Sequence, residues 1–435
     1  MTPLGWGSIV RLGAVQSAIG AIVMLVTSLL NRVMVVEYAL AAALPAGLVA
    51  WHYAVQLSRP VWGHGSDSGR RRTPWIVGGI GVLAMGALLA VDAVAMIAAG
   101  SGLGYALAAL AYAMIGAGVG AGGTSLLALL AAQVAPERRP AAAAITWIMM
   151  VGGIVVTAGI AGSLIDPYSI ERLAMVAGGV GLGAFLLALV AVWGVEQAQP
   201  ALVEGAPAAP AVSLAQAVGG MLADREARQF TVFVFLSMLA YSMQDMILEP
   251  FAGLLFGMTP GESTKLAGVQ HAGVLVGMIL VGVGASAFGG RSAAGLKRWI
   301  VGGCLGSAAA LAGLAVSASS GGAWPLSANV AFLGFANGIF AVAAIGTMMA
   351  LAGAGGQRRE GVRMGVWGAS QAIAFGLGGL AGAVAVDVMR AVLASDERAF
   401  MLVFTAEAGL FLAAAWLALG VARTSTTSMR LAVAS

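Results

Sequence analysis

Long apolar runs separated by short polar loops organise this chain. A helix needs about 20 mostly apolar residues to cross a bilayer. Measured against that length, the pattern predicts twelve spans, near 12–30, 39–57, 75–99, 103–131, 141–165, 173–193, 229–250, 266–288, 299–317, 329–353, 364–388 and 399–421. The longest polar stretch, 194–228, holds Pro200, Pro207 and Pro210 among alanine and glycine and reads as a linker. The predicted organisation is an N-terminal six-helix bundle over 1–193, a cytoplasmic linker over 194–228 and a C-terminal six-helix bundle over 229–435.

Composition strengthens the membrane reading. The chain is 60% hydrophobic and 9% charged, with a mean hydropathy of +0.95. A water-soluble domain carries about a quarter charged residues and does not expose apolar surface on this scale. One cysteine and three histidines exclude a disulfide framework and a Cys/His metal cluster, so no metal site is expected. The pI of 9.6 would suit nucleic acid, but the net charge is only +4 and the basic residues lie in short loops. If the N-terminus is cytoplasmic, 17 of the 22 Lys and Arg residues fall on the cytoplasmic side. That is the positive-inside pattern, and it places both termini in the cytoplasm. The 64 glycines are expected to serve close helix packing in lipid.

The two halves repeat. Trp75-Ile76-Val77-Gly78-Gly79 opens span 3, and Trp299-Ile300-Val301-Gly302-Gly303 opens span 9. In the same order His52 matches His271, Thr124 matches Thr347, Trp147 matches Trp367 and Asp166 matches Asp387. Near the end of span 1, Asn31, Arg32 and Glu37 match Gln244, Asp245 and Glu249 of span 7. The set is a parallel six-helix repeat.

The hydrophilic loop between spans 2 and 3 carries Gly63-x-x-x-Asp67-x-Gly69-Arg70-Arg71-Arg72. It resembles the loop 2–3 signature of the major facilitator superfamily. The fold so implied is an all-α membrane protein of 12 transmembrane helices, in two six-helix halves related by a pseudo-twofold axis. Its glycines permit a tight turn, and Asp67 can accept from an arginine or a helix N-terminus of the other half. Gly63, Asp67, Gly69, Arg70, Arg71 and Arg72 are therefore expected to form a conformational lock. The second-half counterpart, from Gly289 to Arg298, lacks the acid.

Two longer strings narrow the resemblance. They are Arg59-Pro60-x-Trp62-Gly63-His64-Gly65-Ser66-Asp67 with the following Arg70-Arg71-Arg72-Thr73-Pro74-Trp75-Ile76, and Leu30-Asn31-Arg32-Val33-Met34-Val35-Val36-Glu37. Both are similar to the PucC/LhaA-type proteins of anoxygenic phototrophs. The resemblance implies a factor that assembles light-harvesting antennas in the bacterial inner, photosynthetic membrane by delivering bacteriochlorophyll. The implied partners are antenna polypeptides or the core light-harvesting complex, together with pigment-synthesis enzymes. The residues themselves show no nucleophile–base set, metal cluster or nucleotide loop, so an enzyme of pigment synthesis is not expected, and the small net charge argues against nucleic acid.

The residues add candidates of their own. Ionisable groups inside a bilayer are functional candidates, and Asn31, Arg32, Glu37, Gln244, Asp245 and Glu249 form such a cluster. Asp245 and Glu249, four apart, share one helix face, and the expected contact is a bridge from Arg32 to one of them. Asp92 and Glu407 are further acids within spans. A neutral imidazole can ligate magnesium, which makes His52 and His271 candidates for bacteriochlorophyll, with Trp147 and Trp367 as stacking surfaces. A second reading is a proton-coupled secondary transporter of a small amphipathic solute or tetrapyrrole. Against it, spans 4 and 10 offer few polar residues beyond Thr124, Ser125, Asn337 and Thr347.

Overall fold

The computed structural model describes residues 4–59, 62, 71–135, 139–196, 225–287, 293–320, 324–353 and 360–433. Among them every regular element is helical. The helices are α1 (Trp6–Glu37), α2 (Ala43–Gln56), α3 (Thr73–Ala98), α4 (Leu103–Gln133), α5 (Arg139–Leu164) and α6 (Ile170–Val192). They continue with α7 (Arg225–Phe256), α8 (Pro260–Ala287), α9 (Ala293–Ser320), α10 (Leu326–Gly353), α11 (Glu360–Leu393) and α12 (Asp396–Val433). Each corresponds to the predicted span of the same number.

Eleven of these are long and apolar enough to cross a membrane. The exception is α2, whose 14 residues rise about 21 Å, less than the roughly 30 Å hydrocarbon core. Irregular chain at Tyr38–Ala42 precedes it. In lipid every backbone group must be satisfied internally, which is why apolar runs of this length become helices.

The chain forms two compact units. One comprises Met1–Glu204 with Met246–His271, the other Gly205–Asp245 with Ala272–Ser435. The C-terminal part of α7 and the first part of α8 thus belong with the first six helices. Most of the predicted linker, residues 197–224, lies outside the described residues.

Within each unit, glycines allow close approach of neighbouring helices. A Cβ added to Gly79 on α3 would lie 2.5 Å from the Gly122 nitrogen and 3.0 Å from the Gly118 carbonyl on α4. Gly303, its counterpart in the repeat, does the same work on α9: a Cβ there would lie 2.6 Å from the Phe340 nitrogen and 2.9 Å from the Ala336 carbonyl of α10. The repeated motif therefore has a repeated packing role, in the manner of small-residue contacts in membranes.

Candidate functional site

A buried polar region of the first unit gathers around the second half of α1. This helix is not uniformly α-helical. It widens into π-helical turns at Leu25–Leu29 and Val33–Glu37, on either side of the short stretch Leu30–Arg32. A π turn bonds residue i to i+5, so residues five apart come onto one face, and such turns gather at functional sites. That geometry brings Arg32 and Glu37 together as an ion pair. Arg32 is buried and Glu37 is partly exposed.

The other side of the cluster comes from α7 and α8. Pro250 lies inside α7 and has no amide hydrogen, so the Met246 carbonyl four residues earlier loses its intrahelical donor. The buried Asn31 side chain supplies one, with Nδ2 donating to Met246 O at 2.8 Å. At the end of α7, Gly257 turns the chain at φ +63°. There Arg32 Nη2 donates to Met258 O at 2.6 Å. A cation at a helix C-terminus is favoured by the aligned peptide dipoles. Gly253 keeps the space open: a Cβ there would lie 2.9 Å from Val36 Cγ2 and 3.2 Å from Arg32 Nη2.

Glu249 sits beside Pro250 and is 2% exposed. It accepts from the Ser28 hydroxyl and, at 3.4 Å, from the Thr264 hydroxyl. Arg32 acts on it through space, but the ion pair that Arg32 makes is with Glu37. Within this unit the expected bridge from Arg32 to Glu249 is replaced by the pair with Glu37, which the π turn brings back towards its own helix's arginine. Nearby, Asp166 caps the start of α8, accepting from the Gly261 amide at 3.1 Å and the Thr259 hydroxyl at 2.5 Å. An anionic side chain at a helix N-terminus is stabilising.

The second unit holds the other members of the predicted charge cluster. Gln244 is fully buried, and its amide has no hydrogen-bond partner among the described residues. Asp245 is partly buried and acts electrostatically on Glu407. Glu407 on α12 is fully buried, and neither carboxyl oxygen has a hydrogen-bond partner among the described residues. Its burial could not be read from sequence, because α12 is apolar on all sides of it.

The paired histidines differ. Arg59 donates to Gln56 Oε1, which turns the Gln56 amide nitrogen towards His52 Nε2 at 2.7 Å. That nitrogen then accepts, so the ring proton sits on Nδ1 and no lone pair is left for a metal. His271 Nδ1 lies 2.9 Å from the Ala267 carbonyl and can only donate to it. Nε2 of His271 therefore keeps a lone pair, as a ligating imidazole requires. Trp147 is 41% exposed on α5. The Trp367 side chain lies outside the described residues, as do Gly63, Asp67, Gly69 and Arg70 of the loop.

Arg71 is exposed. Arg72 precedes α3, where a residue missed in the sequence takes the central part. Glu196, just past the end of α6, accepts from the amides of Arg72 at 2.5 Å and Thr73 at 2.8 Å, and from the Thr73 hydroxyl at 2.6 Å. Arg72 also reaches Ala128 O on α4 at 3.2 Å.

A family model described as PUCC protein matches residues 29–426. The chain belongs to this family. Among curated relatives, the "Bacteriochlorophyll synthase 44.5 kDa chain" of Rhodobacter capsulatus is 52% identical over 418 residues, covering 96% of each chain. "Protein PucC" of the same organism is 30% identical, over 86% of this chain and 83% of its own. Among solved structures, the nucleoside transporter NupG superposes with a TM-score of 0.71 at 12% identity, covering 95% of this chain and 100% of its own. A bacterial homologue of the lysosomal transporter Spinster, inward-facing and unoccupied, gives 0.68 at 14% identity, over 97% and 98%. These likenesses fix the fold as that of the major facilitator transporters, and the family member is a multi-pass membrane protein.

Proposed function

We propose that the chain is an assembly factor for bacterial light-harvesting antenna complexes that delivers bacteriochlorophyll to antenna polypeptides. The observation that carries this is the family match across residues 29–426, joined to a relative at 52% identity whose printed name concerns bacteriochlorophyll. The word synthase in that name belongs to the relative. The transporter-like fold supports a binding and hand-over role for this chain rather than bond-making chemistry. The polar cluster on α1 fits such a role, because its groups are bonded mainly to one another and hold helices in place.

In this reading the protein lies in the photosynthetic inner membrane with both termini cytoplasmic, as the basic loops favour. Its partners are antenna polypeptides or the core complex, and the enzymes that supply pigment. The test is deletion of its gene in the phototrophic host, followed by absorption spectra of the membranes and of the purified chain. Loss of an antenna band while pigment synthesis continues, together with chlorin absorption in the purified protein, supports delivery. Unchanged antenna bands overturn it.

A second reading, a proton-coupled transporter of a small amphipathic solute or tetrapyrrole, draws on Glu407 beside Asp245. Buried intramembrane carboxyls serve proton relays in transporters. It requires proton-driven uptake into vesicles that Glu407→Gln abolishes.

A further inference from the structure

The second unit buries polar side chains that its described residues leave unsatisfied. Glu407 on α12, Asn337 on α10 and Gln244 on α7 are each 0% exposed. Among the described residues, both Glu407 carboxyl oxygens, Asn337 Nδ2 and both amide atoms of Gln244 have no hydrogen-bond partner. Asn337 Oδ1 is engaged, accepting from the Ser307 hydroxyl of α9 at 2.7 Å, so its nitrogen is the unmet donor. An unpaired buried polar group costs about 1–3 kcal/mol, and an unpaired ionised carboxylate far more.

These groups share one level of the bundle, which an aromatic layer marks. The Phe340 ring of α10 is centred 5.5 Å from Phe411 of α12 and 6.3 Å from Tyr241 of α7, and Tyr241 is centred 5.7 Å from Phe375 of α11. Asn337 and Glu407 precede Phe340 and Phe411 by three and four residues, and α10 and α12 cross in the same sense. Gln244 and Asp245 follow Tyr241 by three and four residues on α7, which crosses in the opposite sense. All four therefore stand one turn, about 5 Å, to the same side of the aromatic layer. The electrostatic action of Asp245 on Glu407 is the consequence.

Within this unit, no cationic side chain stands at that level among the described residues. On α9, Lys297 and Arg298 lie near the helix start, where Lys297 donates to Leu419 O at 2.7 Å. Nearer the layer α9 brings only the thiol of Cys304. Neither α10 nor the part of α8 after His271 has an ionisable residue. On α11, Glu360 and Arg363 lie in the first turn, and Asp387 and Arg390 lie about two turns or more beyond the layer. Arg390 is paired with Asp396 at 2.6 Å. Besides Asp245, α7 brings Tyr241 in the aromatic layer, with Arg225, Glu226 and Arg228 at its far end. On α12 itself the nearest charges are those of Asp396, Glu397 and Arg398 in its first turn.

From this we infer that the layer is a proton-binding site that gates the second unit: Glu407 holds one proton while the helices are closed and gives it up when they part and water reaches it. The unmet amide donors of Gln244 and Asn337 are then explained, because the carboxylate left behind accepts only. A metal cation is a poorer occupant, since Asn337 presents a nitrogen donor and hard cations take oxygen. The gate goes beyond the carrier reading above, in which a proton drives uptake, and applies equally to a protein that hands pigment over. The closed layer binds the proton more tightly than the open one. By linkage, acid favours closure and alkali favours opening.

Cys304 reports on the layer. It is the chain's one cysteine, is 0% exposed and lies three residues before Ser307 on α9. The full chain in nanodiscs is treated with a maleimide across a range of pH, and wild type is compared with Glu407→Gln, whose amide stands in for the protonated acid. Thiol ionisation speeds labelling equally in both. The ratio of wild-type to variant rate should therefore rise with pH, by up to about tenfold per unit for one proton. Asp245→Asn removes the neighbouring acid and should move that rise to lower pH. A constant ratio overturns the gate.

A second measurement needs no variant. Dicyclohexylcarbodiimide adds a protonated carboxyl across its C=N bond, and the adduct rearranges to an N-acylurea with nothing leaving. Peptide mass spectrometry should find that adduct on Glu407, and less of it as pH rises. No adduct on Glu407 overturns the proton site. Protection by sodium ions at constant pH makes the layer a metal site and overturns it equally. Proton-driven uptake is a separate assay, and its failure removes the carrier reading while leaving the gate standing.

Discussion

Asn31 repairs the hydrogen bond that Pro250 removes. The proline leaves Met246 O without its intrahelical donor, and the Asn31 amide donates to that carbonyl from α1 at 2.8 Å. This predicts a coupling that neither residue reveals alone. Asn31→Ala should destabilise by about 1 kcal/mol, the scale of an interhelical hydrogen bond in a membrane. In a Pro250→Ala background the backbone donor returns, and the same change should cost much less. A double-mutant cycle on thermal unfolding in detergent measures the difference. Additive effects would mean that the bond contributes nothing specific.

Arg32 serves two acceptors in different directions, the Glu37 carboxylate and Met258 O. A planar guanidinium can reach both at once, whereas an ammonium on a flexible stem is a single point charge. Arg32→Lys should therefore lose most of the function that Arg32→Ala loses, read as antenna absorbance in a complemented deletion strain. Glu249→Gln should be milder, because the Ser28 and Thr264 hydroxyls can rotate to suit an amide. Full activity in Arg32→Lys would show that only the charge matters.

How much of this cluster was legible depends on which helical period is assumed. Arg32 and Glu37 stood out as charges in an apolar span, yet a spacing of five places them apart on an α-helix, so their pairing followed only from the π turn. Pro250 was visible too, and the missing bond to the carbonyl four residues earlier follows from its chemistry. That Asn31 would fill it required knowing which face of α1 meets α7. Twelve helices were readable, eleven of them long and apolar enough to span among the described residues, because apolar length is a one-dimensional signal. The roles of single glycines were not, since Gly153 and Gly152 are adjacent and alike in sequence, and only the fold shows that one is packed and the other open.

Gly253 is predicted to be intolerant of even one methyl group. A Cβ would press Val36 Cγ2 at 2.9 Å and Arg32 Nη2 at 3.2 Å. Overpacking of this kind costs about 1–3 kcal/mol. The gain in helix propensity from glycine to alanine, under about 1 kcal/mol, should not offset it. Gly253→Ala should lower the melting temperature in detergent, and adding Val36→Ala should restore part of it. Gly409→Ala, where a Cβ meets nothing, should raise stability slightly and serves as the control.

Glu196 ties the end of α6 to the start of α3 by accepting from two backbone amides and one hydroxyl. The first amides of a helix have no internal partner, and removing a side-chain cap costs about 1 kcal/mol. Glu196→Ala should therefore fray the first turn of α3 without unfolding the bundle. Hydrogen exchange should show faster exchange at Arg72 and Thr73, with protection near Ile80 unchanged. Glu196→Gln keeps an acceptor oxygen and should lie between the two. Because this cap borders the basic loop at Arg71 and Arg72, fraying should also lower antenna assembly if that loop acts as a lock. Faster exchange with full assembly would separate the cap from the loop's function.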